Sequence, residues 1–427
     1  FPEYNSKFST FQNKYFHSNS GNIYSAEKSD ENQIKIKEVI DYKFQEISDI
    51  TIPVNSSSWM LIDCLNFDQN YILVNKYLNE KKINVIISVV NNNFEINSDF
   101  ADSGHVKFSF DNVNVNKIVK STFHENKLYL LVQKEDNQQI SYSVYYIDMS
   151  EGNNLELLID SAIDISHNSH FFAKDFKVKS DAIYIAGTTD YADSGLSQGQ
   201  RTYDFFVSKF NKDGTVFSNF ADNGVFQKDF GDTDKVTALE IQDDGKILVA
   251  GINWLDFATD AIVMRINVDG SIDESFGIDG STPVSKFAPM NNHLNFDDRG
   301  NEEGTDIYVD SSGNIFLSGS KYIGWHNGIA KDLTATNGKY ESAVWKYSPE
   351  GQYVEDFGSG THSYSNGTLL GLKTFPLDGD GKTQKLMYVN DMLLAFVSVR
   401  EKNNNTFNKV YKINKDSGKE EIFASDT

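Results

Sequence analysis

The stretch DGTVFSNFADNG (213–224) returns as DGSIDESFGIDG (269–280), and between the two copies lies KVTALEIQDDGKILVAG (235–251). Asp213-Gly214 recurs as Asp269-Gly270 and Phe220 as Phe276, each 56 residues further on. A constant offset of this size is one period of a structural repeat. Inside the period, two runs rich in Val, Ile and Leu flank Asp243-Asp244-Gly245, which predicts two strands joined by a tight turn.

Working outward, the same hairpin is found closely copied at 305–320 (TDIYVDSSGNIFLSGS) and near the start at 13–29 (NKYFHSNSGNIYSAEKS). Looser copies lie at 59–77, 117–134, 171–188 and 384–399, each with Gly, Asn, Asp or Ser at its reversal. A third strand is expected after each hairpin, at 33–40, 83–90, 140–147, 205–211, 261–267, 342–348 and 407–414. An Asp-Gly-type turn, a Phe-x-x-x-Gly segment and a fourth strand such as HVKFSF (105–110) or VFQKDF (225–230) complete the unit. Four antiparallel strands repeated seven times predict an all-β, seven-bladed β-propeller, with residues 1–427 as a single domain. Residues 4–12 resemble a fourth strand and are expected to close the ring by joining the last blade, which removes a free edge.

Composition agrees and sets limits. Aromatic residues make up 13% of the chain, 31 of them Phe and 21 Tyr, in short β-branched segments. The formal charge of −22 opposes phosphate backbones and anionic lipid, which argues against nucleic acid and membrane surfaces as partners. Cys64 is alone, so the chain holds no internal disulfide, and it lies in an apolar run as a small core residue. No run of 18 apolar residues occurs, so no membrane insertion is expected. The chain begins at Phe1, the expectation being a processed form from which a signal peptide has been removed.

Three motifs carry a resemblance: Phe276-Gly277-Ile278-Asp279-Gly280, Asp244-Gly245-Lys246-Ile247-Leu248-Val249-Ala250-Gly251, and Arg265-Ile266-Asn267-Val268-Asp269-Gly270. Together they resemble the delta-60 repeat, a bacterial β-propeller repeat, clearly over about 160–360 and loosely elsewhere. The resemblance implies a secreted or surface-exposed propeller with no assigned reaction, and it carries no catalytic residue across.

Extra length falls on one face, in the connections from second to third strand and between units. Loops are expected at 190–204, 253–260, 288–303 and 321–341, forming one continuous wall, and long loops on a rigid scaffold are where binding concentrates. Trp254, Trp325, Tyr191 and Tyr203 offer stacking area there, with Arg201, Arg299 and Asp256 as orienting polar groups. Glu302 and Glu303 add carboxylates to the same wall. Aromatic rings among hydrogen-bonding groups suit a glycan or a protein partner, although a Trp also serves to pin its own loop.

An enzyme reading draws on the same wall. His293, His326 and Asp297 would supply the acid and base of a polysaccharide lyase or hydrolase. His167 and His170, three apart, and the oxygen-rich turn with Asp378 and Asp380 are weak metal candidates. Calcium is the metal these carboxylates suit, but neither this turn nor the one at Asn295–Gly300 has the closing Glu of a calcium loop, positions 389 and 306 being Val and Asp, so Asx-type turns between strands are the leading reading. The leading expectation is a non-catalytic, exported, monomeric binding propeller without cofactor; the others are the glycan-cleaving enzyme and a structural domain of a larger adhesin or toxin.

Overall fold

The computed structural model describes residues 13–29, 32–54, 58–79, 82–110, 115–136, 139–150, 155–159, 170–179, 181–191, 202–230, 234–255, 258–282, 302–323, 339–358, 363–364, 367–368, 371–375, 377, 379–401 and 405–425. Regular structure there is entirely β. The chain divides into two compact units, Phe1–Ile185 with Ser208–Phe217, and Ala186–Val207 with Ser218–Thr427.

The first unit opens with neighbouring strands β1 (Lys14–His17), β2 (Ile23–Lys28), β3 (Gln33–Ile40) and β4 (Lys43–Thr51). A four-stranded sheet follows, β5 (Trp59–Phe67), β6 (Asn70–Asn79), β7 (Lys82–Asn91) and β8 (His105–Ser109). The next is β9 (Val115–His124), β10 (Lys127–Asp136), β11 (Gln139–Asp148) and β12 (Glu156–Ile159). The sheet of β13 (His170–Val178), β14 (Ala182–Tyr191), β15 (Thr202–Asn211) and β16 (Val225–Lys228) has residues in both units.

In the second unit β17 (Lys235–Ile241), β18 (Ile247–Leu255) and β19 (Ala258–Ile266) form a three-stranded sheet. The next contains β20 (Glu302–Val309), β21 (Ile315–Ile323) and β22 (Lys339–Tyr347). After the short pair β23 (Ser363–Tyr364) and β24 (Gly367–Thr368), β25 (Leu372–Phe375) adds its fourth strand. The last run is β26 (Gly379–Val389), β27 (Met392–Glu401), β28 (Thr406–Ile413) and β29 (Glu420–Ser425).

All seven expected hairpins are therefore neighbouring strands. Their central strands read as continuous apolar runs because both faces are covered: in KINVIISVVN of β7 every residue but the two ends is buried. Outer strands lack that second cover, and β4 is largely exposed. The core lies in layers between successive sheets. Leu248, Ala250 and Val263 of one sheet meet Leu317, Trp345 and Tyr347 of the next, and Phe316 and Val344 meet Leu393 and Ala395 beyond.

The Phe-x-x-x-Gly segment is a turn of fixed geometry. Phe100, Phe220 and Phe276 are each buried, and the amides of Gly104, Gly224 and Gly280 donate back to their carbonyls at 2.7, 2.7 and 3.0 Å. Ala101, Ser103 and Gly104 have positive φ, as do Ala221, Asn223 and Gly224, and Gly277, Asp279 and Gly280. Gly280 is required twice over: its φ is +88°, and a Cβ there would lie 2.1 Å from Ile272 Cγ2. The Asp-Gly reversals are plain Asx turns, with Asp213 and Asp269 each accepting from the backbone amide two residues on, at 2.9 Å.

Just before these turns, three sheets place a cation at one point. Lys209, Arg265 and Lys346 each follow an acid of the third strand (Asp204, Asp260 and Glu341) by five residues, and each accepts through its carbonyl the amide eight residues on, from Phe217, Asp273 and Val354. Lys209 Nζ lies 4.4 Å from the Phe217 ring centre, the Arg265 guanidinium 4.4 Å from that of Phe276, and Lys346 Nζ 5.9 Å from that of Phe357.

The outer place beside β28, where residues 4–12 were expected, is held by β29; residues 4–12 themselves lie outside the described residues. Among the described residues the sheet of β17–β19 has three strands and Ser281 forms an isolated bridge to Met264; the fourth strand expected after Gly280 falls mostly on residues outside the described ones.

Candidate functional site

The two ends of the sheets differ. At one end the first hairpin turn of each sheet is short, with two residues joining β5 to β6 and β26 to β27 and five joining β17 to β18 and β20 to β21, while thirteen (92–104 and 212–224) lead from β7 to β8 and from β15 to β16. At the other end ten residues (192–201) separate β14 from β15, and fifteen (324–338) separate β21 from β22. Not every pair is extended there: β18 and β19 are joined by two residues (256–257).

At this loop-bearing end the second unit's hairpins outrun their inner strands. The β18–β19 ladder reaches Leu255 and Ala258, whereas β17 begins only opposite Ile252. Asn253, Trp254 and Leu255 thus continue with Asp260, Thr259 and Ala258 as a two-stranded ribbon past the start of β17, Asn253 still buried. In the next sheet the described part of β20 begins opposite Lys321, and Tyr322 and Ile323 pair with Tyr340 and Lys339 as a second ribbon.

Beneath the ribbons lies a layer of buried polar groups. Glu302 and Lys321 form an ion pair with both side chains about 4% exposed. Lys382 Nζ donates to Glu303 Oε1 at 2.7 Å, and Tyr340 N donates to Asp380 Oδ1 at 2.9 Å. The hydroxyls of Ser342 and Thr383 are 2.5 Å apart, and Thr305 Oγ1 donates to the carbonyl of Thr383 at 2.5 Å. In the neighbouring sheet Asp204 accepts from Gln227 Nε2 at 2.7 Å; burial pushes its carboxyl up, partly offset by Gln227 and reinforced by Asp229. Charges matched in this way make a rigid support for the connections above, since a buried ion pair holds geometry even where its net stabilisation is small.

The structure moves several expected site residues. Trp254 belongs to β18 and pairs across with Thr259, rather than standing in a loop over 253–260; the strand alternation simply continues through it. Tyr191 closes β14, Tyr203 is the second residue of β15, and His170 is the first of β13, so these too are strand residues. The Tyr203 carbonyl accepts from Asp234 N at 2.7 Å, and Lys235 Nζ lies 6.0 Å from its ring centre. Glu302 and Glu303, expected on the wall, are strand residues engaged by lysines. Asp380 is held by Tyr340. Arg201, Asp256, His167, His293, Asp297, Arg299, Trp325, His326 and Asp378 lie outside the described residues. Among the described residues no group of three His, Cys, Asp or Glu side chains is placed to hold a metal.

The lysines of the polar layer escape a reading of the sequence. Their one signal is position: Lys321 and Lys382 interrupt strand segments whose neighbours are apolar or small.

The comparisons with known proteins concern the fold. The β-propeller domain of unknown function DUF5122 matches residues 242–276, from the β17–β18 turn to Phe276. No curated protein sequence matches the chain. Among solved structures the chain is similar to the polysaccharide lyase Uly1, at 11% identity over 96% of this chain and 91% of that one, with a TM-score of 0.52. It is also similar to the β-propeller domain of the Trilobed protease from Pyrococcus furiosus, at 10% identity over 86% and 84% of the two chains, TM-score 0.41. The endo-arabinase from Bacteroides thetaiotaomicron VPI-5482 follows at 14% identity over 75% and 96%, TM-score 0.33. The short family match, the whole-length likeness of fold and the succession of antiparallel sheets together support a β-propeller family.

Proposed function

We propose that the chain is a seven-bladed β-propeller of the delta-60-repeat kind, exported to the cell surface or medium, and that it binds a glycan through the loop-bearing end of β14–β15, β18–β19 and β21–β22. The observation that carries this reading is the length of two second-to-third-strand connections, ten residues between β14 and β15 and fifteen between β21 and β22, where β6–β7, β10–β11 and β18–β19 are each joined by two. Trp254 of β18 and Tyr203 of β15 would supply aromatic surface of the kind that stacks on sugar rings. The neutralised layer of Glu302, Lys321, Glu303 and Lys382 gives that surface a stiff base.

The test is a glycan array probed with the full chain, with and without calcium, followed by titration of any hit against the Trp254→Ala, Trp325→Ala double variant. At least tenfold weaker binding by a folded variant supports the reading. Undiminished binding, or an empty array beside a protein captured by pull-down, overturns it.

A second reading, a polysaccharide lyase using His293, His326 and Asp297, is favoured by the whole-length likeness of fold, at a TM-score of 0.52, to a polysaccharide lyase. Incubation with uronate-containing polysaccharides would reveal it as new ultraviolet absorbance from the unsaturated product, lost in His293→Ala or His326→Ala.

A further inference from the structure

Lys321 of β21 stands between two acids. In register it lies opposite Glu302 of β20 on one side and opposite Glu341 of β22 on the other. All three residues are buried, and Lys321 Nζ is in direct contact with Glu302 Oε1. Along the same face the strands turn apolar. Two and four residues from Lys321 come Gly319 and Leu317, and two and four from Glu341 come Ala343 and Trp345. Leu317, Ala343 and Trp345 belong to one buried cluster with Ala250 and Val263 of the neighbouring sheet. A row of ionisable groups is thus laid beside an apolar layer, away from water.

Other buried lysine pairs are built differently. Lys382 reaches Glu303 and Lys373 reaches Glu420, but those acids are 16% and 27% exposed. Across their ladders Lys382 lies opposite Ser398 and Lys373 opposite Val344, so neither faces an acid in register. Lys120, which meets the buried Asp175, is itself 39% exposed. Lys321 combines direct contact, full burial of both partners and a second acid on the far strand.

Those three features are what amide formation needs. Water stabilises an ammonium and a carboxylate far more than their neutral forms, and burial removes that advantage. Fixed contact turns a bimolecular encounter into an intramolecular one. The second acid can carry a proton. We propose that Lys321 and Glu302 join in an isopeptide bond, with Glu341 as the proton carrier. Glu341 takes one proton from the Lys321 ammonium, and the freed Nζ lone pair attacks Cδ of Glu302. The Nζ–Cδ bond forms and a Cδ–Oε bond breaks. The departing oxygen leaves as water, with a second proton from Nζ and the one held by Glu341, which returns to a carboxylate facing the new amide N–H. One ammonium and one carboxylate become a neutral amide and water, and nothing is oxidised or reduced. The product also replaces a buried ion pair, whose desolvation offsets much of its attraction. It staples the start of β20 to β21 two residues before the connection that leads to β22. It does not depend on what the loop-bearing end binds.

The experiment is intact-mass spectrometry of the full folded chain, denatured only for injection, followed by sequencing of its proteolytic peptides. The expected result is a mass one water below the sum of the residues, and a branched peptide joining the segments that hold Glu302 and Lys321. Lys321→Arg, which keeps the charge but not the amine, should have the full mass. Lys373→Arg should remain one water light. Glu341→Gln, still folded by circular dichroism, should show most of its chains at full mass, an outcome that a merely structural Glu341 would not give. A natural chain at full mass overturns the proposal, whatever the variants do. So does a loss of water that persists in Lys321→Arg, as cyclisation at an Asp-Gly turn would produce. Complete bond formation in Glu341→Gln overturns the role given to Glu341.

Discussion

Three sheets put a cation at the same point, and they handle it in two ways. Around Arg265 the site is electrostatically complete. Its Nε donates to Asp273 Oδ2 at 2.8 Å, Lys246 donates to the same oxygen at 2.8 Å, and Nη1 donates to the carbonyl of Pro349 at 2.5 Å. Ser275 donates to the other oxygen of Asp273 through its hydroxyl, at 2.5 Å. Burial alone would push the Asp273 carboxyl up, but Lys246, Ser275 and Arg265 outweigh it and hold the group well below the ordinary carboxylate range. At the equivalent places beside Lys209 and Lys346 stand Phe217 and Val354. Burial lowers the proton affinity of both lysines, so charge opposes folding there while ring contacts favour it. Three sheets therefore set a long cationic stem over the turn, whereas Val89 holds the same place before Phe100; a buried carboxylate is an addition made in one sheet.

The largest effect should come from breaking the complete site. Asp273→Ala leaves Arg265, whose side chain is 10% exposed, without its carboxylate. A loss of about 3–5 kcal/mol is expected from removing one partner of a buried pair. Urea unfolding would measure it, and a loss under about 1 kcal/mol would mean that the stem, not the pair, holds this sheet as well. Replacing both partners with apolar residues, Arg265→Met with Asp273→Leu, should recover most of the loss.

Acid sharpens the same contrast. A carboxyl held below its ordinary range when folded adds stability above the unfolded value of about 3.9 and loses it as pH falls toward the folded value. The natural chain should thus lose melting temperature steadily below about pH 5. Asp273→Asn, already destabilised at neutral pH, should show a shallower acid slope. Parallel slopes would show that other carboxylates set the acid limb.

The repeat period, the seven hairpins and the third strands were legible in the sequence because they rest on local signals: apolar alternation, Asp-Gly reversals and the Phe-x-x-x-Gly turn. The roles inside the motif were not. Arg265 looks like punctuation in Arg265-Ile266-Asn267-Val268-Asp269-Gly270, yet it closes against Pro349, 84 residues away, a contact no local pattern encodes. Trp254 was misplaced for a related reason. Asn253 and Asp256 signal a loop, but Asn253 is buried and pairs with Asp260, so tertiary burial overrides its turn preference. The polar layer shares that limit, since Lys321 and Glu302 are charged residues that only a fold could bury together.

The smallest effect tests the sheet that lacks the carboxylate. Lys346→Met keeps the stem over Phe316 and Phe357 and removes only the charge. Two consequences oppose each other. A lysine whose proton affinity is lowered by folding costs stability at neutral pH, a cost that fades only as pH rises through the folded value toward the unfolded one, about 10.4. Its removal therefore stabilises. Against this, Nζ donates to the carbonyl of Lys415 at 2.7 Å, and that acceptor loses a charged donor worth about 1.5–3 kcal/mol if nothing replaces it. Because Lys415 is only partly buried, between exposed Asn414 and Asp416, water can take the vacated place, and the two terms should cancel to within about 1 kcal/mol at pH 7. The same change at Arg265, where Asp273 is nearly buried, should cost several times more. Equal losses at the two positions, measured in one denaturant series, would erase the distinction between a site held by charge and one held by its stem.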